Sequence, residues 1–177
     1  MIEGIPPPGA YIYYLTTKTR KGGYEALAND IVSKMDQGRV LDVGTGAGNL
    51  PVEIAKRALN LDIIGIDVSK ILIKIATGVA KREGVESVVR FERGSAYDLR
   101  FEDCYFDLVI SSGVIHHLKY PTKVFNEIYR VLKPHSEAWL YDLITDTPPQ
   151  GAETRTKRNA CLFLPFSNVF PFARAEA

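Results

Sequence analysis

The chain has 177 residues, a formal net charge of +1, 46% hydrophobic and 24% charged residues, the make-up of a single globular domain with a sizeable core. These values exclude intrinsic disorder, a collagen and a dedicated nucleic-acid clamp, which needs a bulk excess of Lys and Arg to displace counterions. Two cysteines, Cys104 and Cys161, are too few for a disulfide scaffold or a thiolate zinc centre, so no metal is expected and a reducing, cytoplasmic setting is the default.

In chain order, residues 1–9 carry Pro6, Pro7 and Pro8 and predict an extended lead-in with no apolar signal core. Tyr11, Tyr13 and Tyr14 follow. Tyr24, Leu27, Ala28, Ile31, Val32 and Met35 recur at helical spacing, and Gly38 closes that helix. Residues 39–43 then predict a strand, Gly44, Gly46 and Gly48 a loop, and residues 49–58 a helix. Pro51 fits there because first-turn N–H groups lack intrahelical partners anyway. Strands are predicted over 62–67, 88–93, 107–112 and 137–143, and helices over 70–83 and 121–132. Leu108, Val109 and Ile110 are continuously apolar rather than alternating, as expected of a strand covered on both faces. The apolar stretch 161–173 contains Pro165, Asn168 and Pro171 and is too short to span a bilayer, so no membrane partner is expected.

Strand and helix alternating in this way predict an α/β fold, a doubly wound, mainly parallel sheet with helices on both faces. Ligands bind such sheets outside the C-terminal strand ends, where the strand order reverses. The first strand runs straight into the glycine loop, so the site is expected there.

The run Val40-Leu-Asp-Val-Gly44-Thr-Gly46-Ala-Gly48-Asn49 lets the chain turn tightly and a ligand approach the backbone. A dinucleotide site would need a third glycine three positions after the second. That position is Asn49 in one frame and Pro51 in the other, so both frames fail. With Asp42 leading the glycines, the sequence resembles the class I S-adenosylmethionine-dependent methyltransferases, in particular the ubiquinone/menaquinone and small-molecule branch. The resemblance spans residues 24–143 and implies a Rossmann-like fold and S-adenosyl-L-methionine as cofactor. It implies that Asp42, Gly44, Thr45, Gly46 and Gly48 cradle the methionine part of the cofactor. It implies that Asp67 accepts both ribose hydroxyls, as two carboxylate oxygens suit, with Val68 beside the adenine. Ser69 suits the cap of the next helix.

The segment Gly94-Ser95-Ala96-Tyr97-Asp98-Leu99-Arg100-Phe101 departs from the family. Ser95 stands where an aspartate usually recognises the adenine amino group, and Arg100 where proline is usual. An uncharged acceptor makes the weaker contact, so Ser95 and Ala96 imply modest cofactor affinity. Ser112 borders the methionine end. His116 and His117 follow it, either as a general base or as packing and capping groups, with His116 favoured for a catalytic role. Tyr11 is the other catalytic candidate, since Tyr11, Tyr13 and Tyr14 sit where related enzymes carry a lid; equally, they pack against the sheet. Lys133-Pro134-His135-Ser136 replaces the family's Lys-Pro-Gly-Gly and predicts a looser corner.

Three regions result: a lead-in or lid over 1–22, a cofactor-binding domain over 23–145, and a short apolar tail over 146–177. The tail is short for the family's remaining strands, which predicts a truncated sheet whose fifth strand is an open edge. That edge needs the tail or a second copy, and a homodimer through the fifth strand and residues 161–172 is the expected cover. The functional expectation is methyl transfer to a small-molecule acceptor; a non-catalytic cofactor-binding subunit is the alternative.

Overall fold

The computed structural model describes residues 9, 14–15, 21–142 and 164–167. Tyr11, Tyr13 and most of the 146–177 tail lie outside them. The elements are α1 (Lys21–Lys34), β1 (Gln37–Val43), α2 (Asn49–Ala55), β2 (Asn60–Asp67), α3 (Lys70–Glu83), β3 (Val89–Arg93), β4 (Phe106–Ser112), a 3-10 turn (Ile115–His117), α4 (Pro121–Val131), β5 (Leu132–Tyr141) and β6 (Leu164–Ser167). The sheet order is β3-β2-β1-β4-β5-β6. The first five strands pair in parallel and β6 pairs antiparallel to β5. The chain lays β2 and β3 on one side of β1 and then crosses to β4 on the other, so the order reverses between β1 and β4.

Alternate side chains of β1, β2, β4 and β5 enter two different cores. Val40, Ile63, Leu108 and Ile110 pack with Ala28 and Ile31 of α1, the buried face of α2, and Val79 and Ala80 of α3. Leu41, Ile64, Val109 and Phe106 pack with Val124, Ile128 and Val131 of α4. A strand with both faces buried is apolar on both, which accounts for the unbroken runs at 63–66 of β2 and 108–110 of β4; in β1 the buried Asp42 interrupts the run. Tyr14 packs against the first of these cores, the bland role open to the N-terminal tyrosines.

Two boundaries differ from expectation. Gly38 lies inside β1, and α1 stops at Lys34. More consequentially, α4 passes directly into β5, which starts at Leu132 rather than Glu137. The register slips between Phe106 and Leu108 where the polar Lys-Pro-His-Ser run is taken up. His135 there has φ 66, the left-handed conformation for which the family uses glycine. At the far side of β5 the expected open edge is occupied, because residues 164–167 of the tail supply β6.

After β3, a single arginine fastens the return path to the sheet. Arg130 of α4 donates to the carbonyls of Leu99 (2.6 Å) and Phe101 (2.8 Å) and to the carboxylates of Glu127 and Asp103 (both 2.8 Å). Glu127 in turn accepts from the Leu99 N–H at 2.8 Å. No helix among the described residues is long and apolar enough to cross a membrane.

Candidate active site

The loop after β1 is built on three residues that only glycine fills without strain, Gly44, Gly46 and Gly48, at φ 75, 56 and 76. Space adds to the demand. A Cβ on Gly44 would meet Val114 Cγ2 at 2.4 Å, and one on Gly48 would meet Phe91 Cζ at 2.6 Å and Ala76 Cβ at 2.8 Å. Gly48 thus lets α2 and α3 close on β3, while Gly44 lets the loop after β4 lie over the end of β1.

Four of the loop's N–H groups are spent internally. Gly44 and Thr45 donate to the Ile66 carbonyl at 2.9 and 2.8 Å, Gly48 donates to the Thr45 carbonyl at 3.0 Å, and Gly46 donates to Asp67 Oδ2 at 3.0 Å. A phosphate cradle needs such groups free. This loop instead grips the neighbouring strand, which agrees with the failure of both dinucleotide frames.

Asp67 closes β2 half-buried. Its Oδ1 accepts from the Ser69 N–H at 2.8 Å, while Ser69 itself caps α3 by accepting from Leu72 N. Capping is therefore done by Ser69. Asp67 ties the glycine loop to the strand end, and each of its oxygens keeps a further lone pair. Burial raises its pKa, against the two backbone donors.

Asp42, Gly44 and Thr45 from the end of β1 share a cleft with Ser112 from the end of β4. This is the point where the strand order reverses. The cleft holds about 10 Å³, room for about one water molecule. Asp42 is 2% exposed. Burial pushes its carboxyl up to about 7; the adjacent Thr45 hydroxyl works against this and the charge of Asp67 adds to it. Asp42 Oδ1 and Thr45 Oγ1 are both buried without a hydrogen-bond partner. Buried polar atoms in native proteins are overwhelmingly paired, so two orphans in one cleft mark a place for a ligand carrying a donor or a positive charge. Ala47 and Leu50 also line the cleft, as do Tyr24 and Asn49, which were not legible as site residues. A larger cavity of about 290 Å³, walled partly by Tyr14, lies between α1, α2 and α3 and shares Tyr24 and Asn49 with the cleft.

The turn after β3 is self-contained. The Ser95 hydroxyl accepts from the Tyr97 N–H at 3.2 Å, and the Asp98 carboxylate lies exposed, 3.7 Å from Arg100. Ala96 packs into the second core, and the Val68 carbonyl accepts from Arg93 at 3.1 Å.

On the other rim, His116 belongs to the 3-10 turn after β4. Its backbone N–H donates to Asp142 Oδ2 at 3.0 Å, and its ring Nδ1 lies 2.7 Å from Asp142 Oδ1. The His117 ring stands against it, with centroids 3.9 Å apart. Asp142 was missed from sequence, although it follows the apolar run of β5 as Asp67 follows that of β2. Among the described residues no cluster of His, Cys, Asp and Glu has the makings of a metal site.

The family model described as a methyltransferase domain matches residues 34–163. The uncharacterized methyltransferase YcgJ of Bacillus subtilis is 36% identical over 104 residues, covering 59% of this chain and 40% of that protein. The demethylmenaquinone methyltransferase of Thermus thermophilus is 34% identical over 146 residues, covering 82% and 62%. A solved structure from Methanococcus maripaludis, described as an S-adenosyl-L-methionine-dependent methyltransferase, superposes with a TM-score of 0.72 at 26% identity over 79% of this chain and 66% of that one. The chain thus spans roughly two fifths to two thirds of these relatives' lengths. With its glycine loop, strand order and acidic strand ends, the chain belongs to the S-adenosylmethionine-dependent methyltransferase family.

Proposed function

We propose that this protein transfers a methyl group from S-adenosyl-L-methionine to a small-molecule acceptor. The observation that carries the reading is the buried Asp42 carboxyl, its Oδ1 unpartnered beside the orphaned Thr45 hydroxyl in a glycine-lined cleft. These groups fit the amino-acid end of the cofactor, which offers an ammonium donor. Asp42, Gly44, Thr45, Gly46, Gly48 and Ser112 hold that end. Asp67 accepts from the ribose hydroxyls with its free lone pairs. Val68 and Ala96 lie beside the adenine, and Ser95 offers it one uncharged acceptor.

The cofactor, when bound, supplies a methyl group already activated by the positive sulfur to which it is attached. The protein's task is to orient the acceptor toward that carbon and to exclude water. In this reading residues 112–118, the N-terminal segment 1–22 and the tail, the last two mostly outside the described residues, form the acceptor side, and residues 23–145 the cofactor-binding domain. Exposed, unpaired Cys104 agrees with a reducing, cytoplasmic setting. The case for a homodimer through β5 and residues 161–172 rested on an unpaired edge and on the apolar tail, and the chain's own β6 pairs that edge. Self-association through the tail is thus a separate question, answered by light scattering.

Thermal denaturation with S-adenosylhomocysteine and with NAD tests the reading. S-adenosylhomocysteine at a hundred times its Kd stabilises the fold by about 2.7 kcal/mol, and NAD does not. Because Ser95 carries no charge and already accepts from its own turn, calorimetry should give a Kd above the submicromolar range. A protein that ignores millimolar S-adenosylhomocysteine ends the proposal.

A further inference from the structure

We infer that the Tyr97 hydroxyl joins the two sides of the site: cofactor bound at the turn after β3 orders segment 113–120 through it. Tyr97 is thus a positioning residue, and cofactor and acceptor bind with positive cooperativity. This rests on the function proposed above and adds to it how the two sides communicate.

Segment 113–120 runs from the end of β4 to the start of α4 and touches both loops that would hold the cofactor. It leaves β4 at Ser112, which lines the cleft with Asp42. Val114 lies over Gly44 so closely that a Cβ on the glycine would meet Val114 Cγ2 at 2.4 Å. The middle of the segment is an internally bonded turn, in which the His117 N–H donates to the Val114 carbonyl at 2.9 Å and the Leu118 N–H to that of Ile115 at 3.0 Å. At the far end the Lys119 and Tyr120 N–H groups both donate to the Tyr97 hydroxyl, at 3.0 and 3.4 Å. Lys119 and Tyr120 are exposed. Tyr120 is the N-cap of α4, its side chain makes no capping bond, and Pro121 follows it without an N–H. The entry to the helix is therefore secured by a side chain 22 and 23 positions away.

Tyr97 belongs to the opposite rim. Its own N–H donates to the Ser95 hydroxyl at 3.2 Å, and the Asp98 N–H donates to the Ser95 carbonyl at 3.2 Å. The residue proposed to meet the adenine and the residue that reaches 119–120 thus share one tight turn. Ala96, Tyr97, Ile115 and Leu118 all pack against the second core, so the turn and the segment rest on a common surface. A tyrosine has only two side-chain torsions, and with its ring packed the hydroxyl moves with the backbone that carries it. Adenine resting on Ser95 and Ala96 restricts that backbone. The hydroxyl then stays aligned with its two donors, and segment 113–120 is held at both ends. Linkage makes the effect mutual, because an acceptor that settles on the held segment tightens the cofactor by the same factor.

Amide hydrogen exchange read by NMR, with and without S-adenosylhomocysteine, tests this on the wild type and on Tyr97→Phe. Calorimetry first measures the binding of that ligand to each protein. A hydrogen bond of this kind is worth a factor of about 2–10 in an equilibrium constant. In the wild type the ligand should therefore slow exchange at Lys119 and Tyr120 at least about twofold. In Tyr97→Phe, which keeps the ring and binds the ligand, both amides should exchange faster and the ligand should leave their rates unchanged. A tyrosine with a merely structural role would raise both rates yet preserve the wild-type ratio between free and bound protein, and that result overturns the inference. So does a wild type that binds the ligand with no change at Lys119 and Tyr120. Loss of ligand binding in Tyr97→Phe overturns it as well, since the hydroxyl would then support the cofactor turn itself. A wild type that does not bind S-adenosylhomocysteine overturns the underlying function, and the coupling with it.

Discussion

Asp42 gives the sharpest quantitative expectation, because its protonation and the cofactor's positive charge act on the same buried carboxyl. In the free protein the group titrates at about 7, held there mainly by burial. A ligand ammonium is held by the ionised form. At pH 6 about one molecule in eleven is ionised, and at pH 8 about ten in eleven, so the apparent Kd for S-adenosylhomocysteine should fall about tenfold over that interval, or about 1.4 kcal/mol. Asp42→Asn removes the titration and should flatten the profile at the weak end. Isothermal titration calorimetry at pH 6, 7 and 8 on both proteins measures this. A flat profile in the wild type, or an unchanged slope in Asp42→Asn, refutes the argument that this carboxyl receives the ligand's charge. The same group fixes the sign of a stability effect. Its folded pKa stands above the unfolded value of 3.8, so the unfolded chain gives up this proton first as pH rises. Stability from this group is full below about pH 4 and is lost up to about pH 7. Across that window denaturant unfolding should move Asp42→Asn by about 4 kcal/mol in its favour relative to wild type.

Asp67→Ala frees the Gly46 and Ser69 N–H groups and removes both ribose acceptors. Two hydrogen bonds to a charged group are worth about 3 kcal/mol or more, so calorimetry should read a loss of S-adenosylhomocysteine affinity of about a hundredfold. Gly48→Ala places a methyl group within 2.6 Å of Phe91 and 2.8 Å of Ala76 at φ 76, and urea unfolding should show a loss of about 2–4 kcal/mol. His135→Gly relieves a left-handed residue at an exposed corner, and thermal melting should rise by about 2–4 °C for about 1 kcal/mol.

The sheet was legible because burial on both faces writes itself into the chain as unbroken apolar runs, as in Ile63-Ile64-Gly65-Ile66. The glycine loop was legible because three left-handed positions in five residues leave no other residue type comfortable. Asp67 followed from its place at a strand end. What stayed hidden depends on register between segments far apart in sequence. The meeting of His116 with Asp142 is set by how β4 and β5 align, and neither residue carries a local sign of the other. Tyr24 reaches the cleft only through the packing of α1 on α2. The start of β5 was concealed by Lys133 and His135, polar residues whose places are explained by an ion pair to Asp107 at 2.7 Å and by a backbone twist. The occupancy of Ser95 by its own turn is likewise a matter of three-dimensional geometry.

Under the proposed function, the internally spent amides of the glycine loop bear on which adenosine compounds the protein admits. ATP, ADP, AMP and NAD all carry phosphate next to the same nucleoside. Here a phosphate would meet amides already given to Ile66, Thr45 and Asp67, and two acidic side chains rather than open donors. Under that proposal, withheld hydrogen bonds and charge repulsion disfavour phosphate-bearing competitors, so phosphate or sulfate buffers should leave cofactor binding untouched.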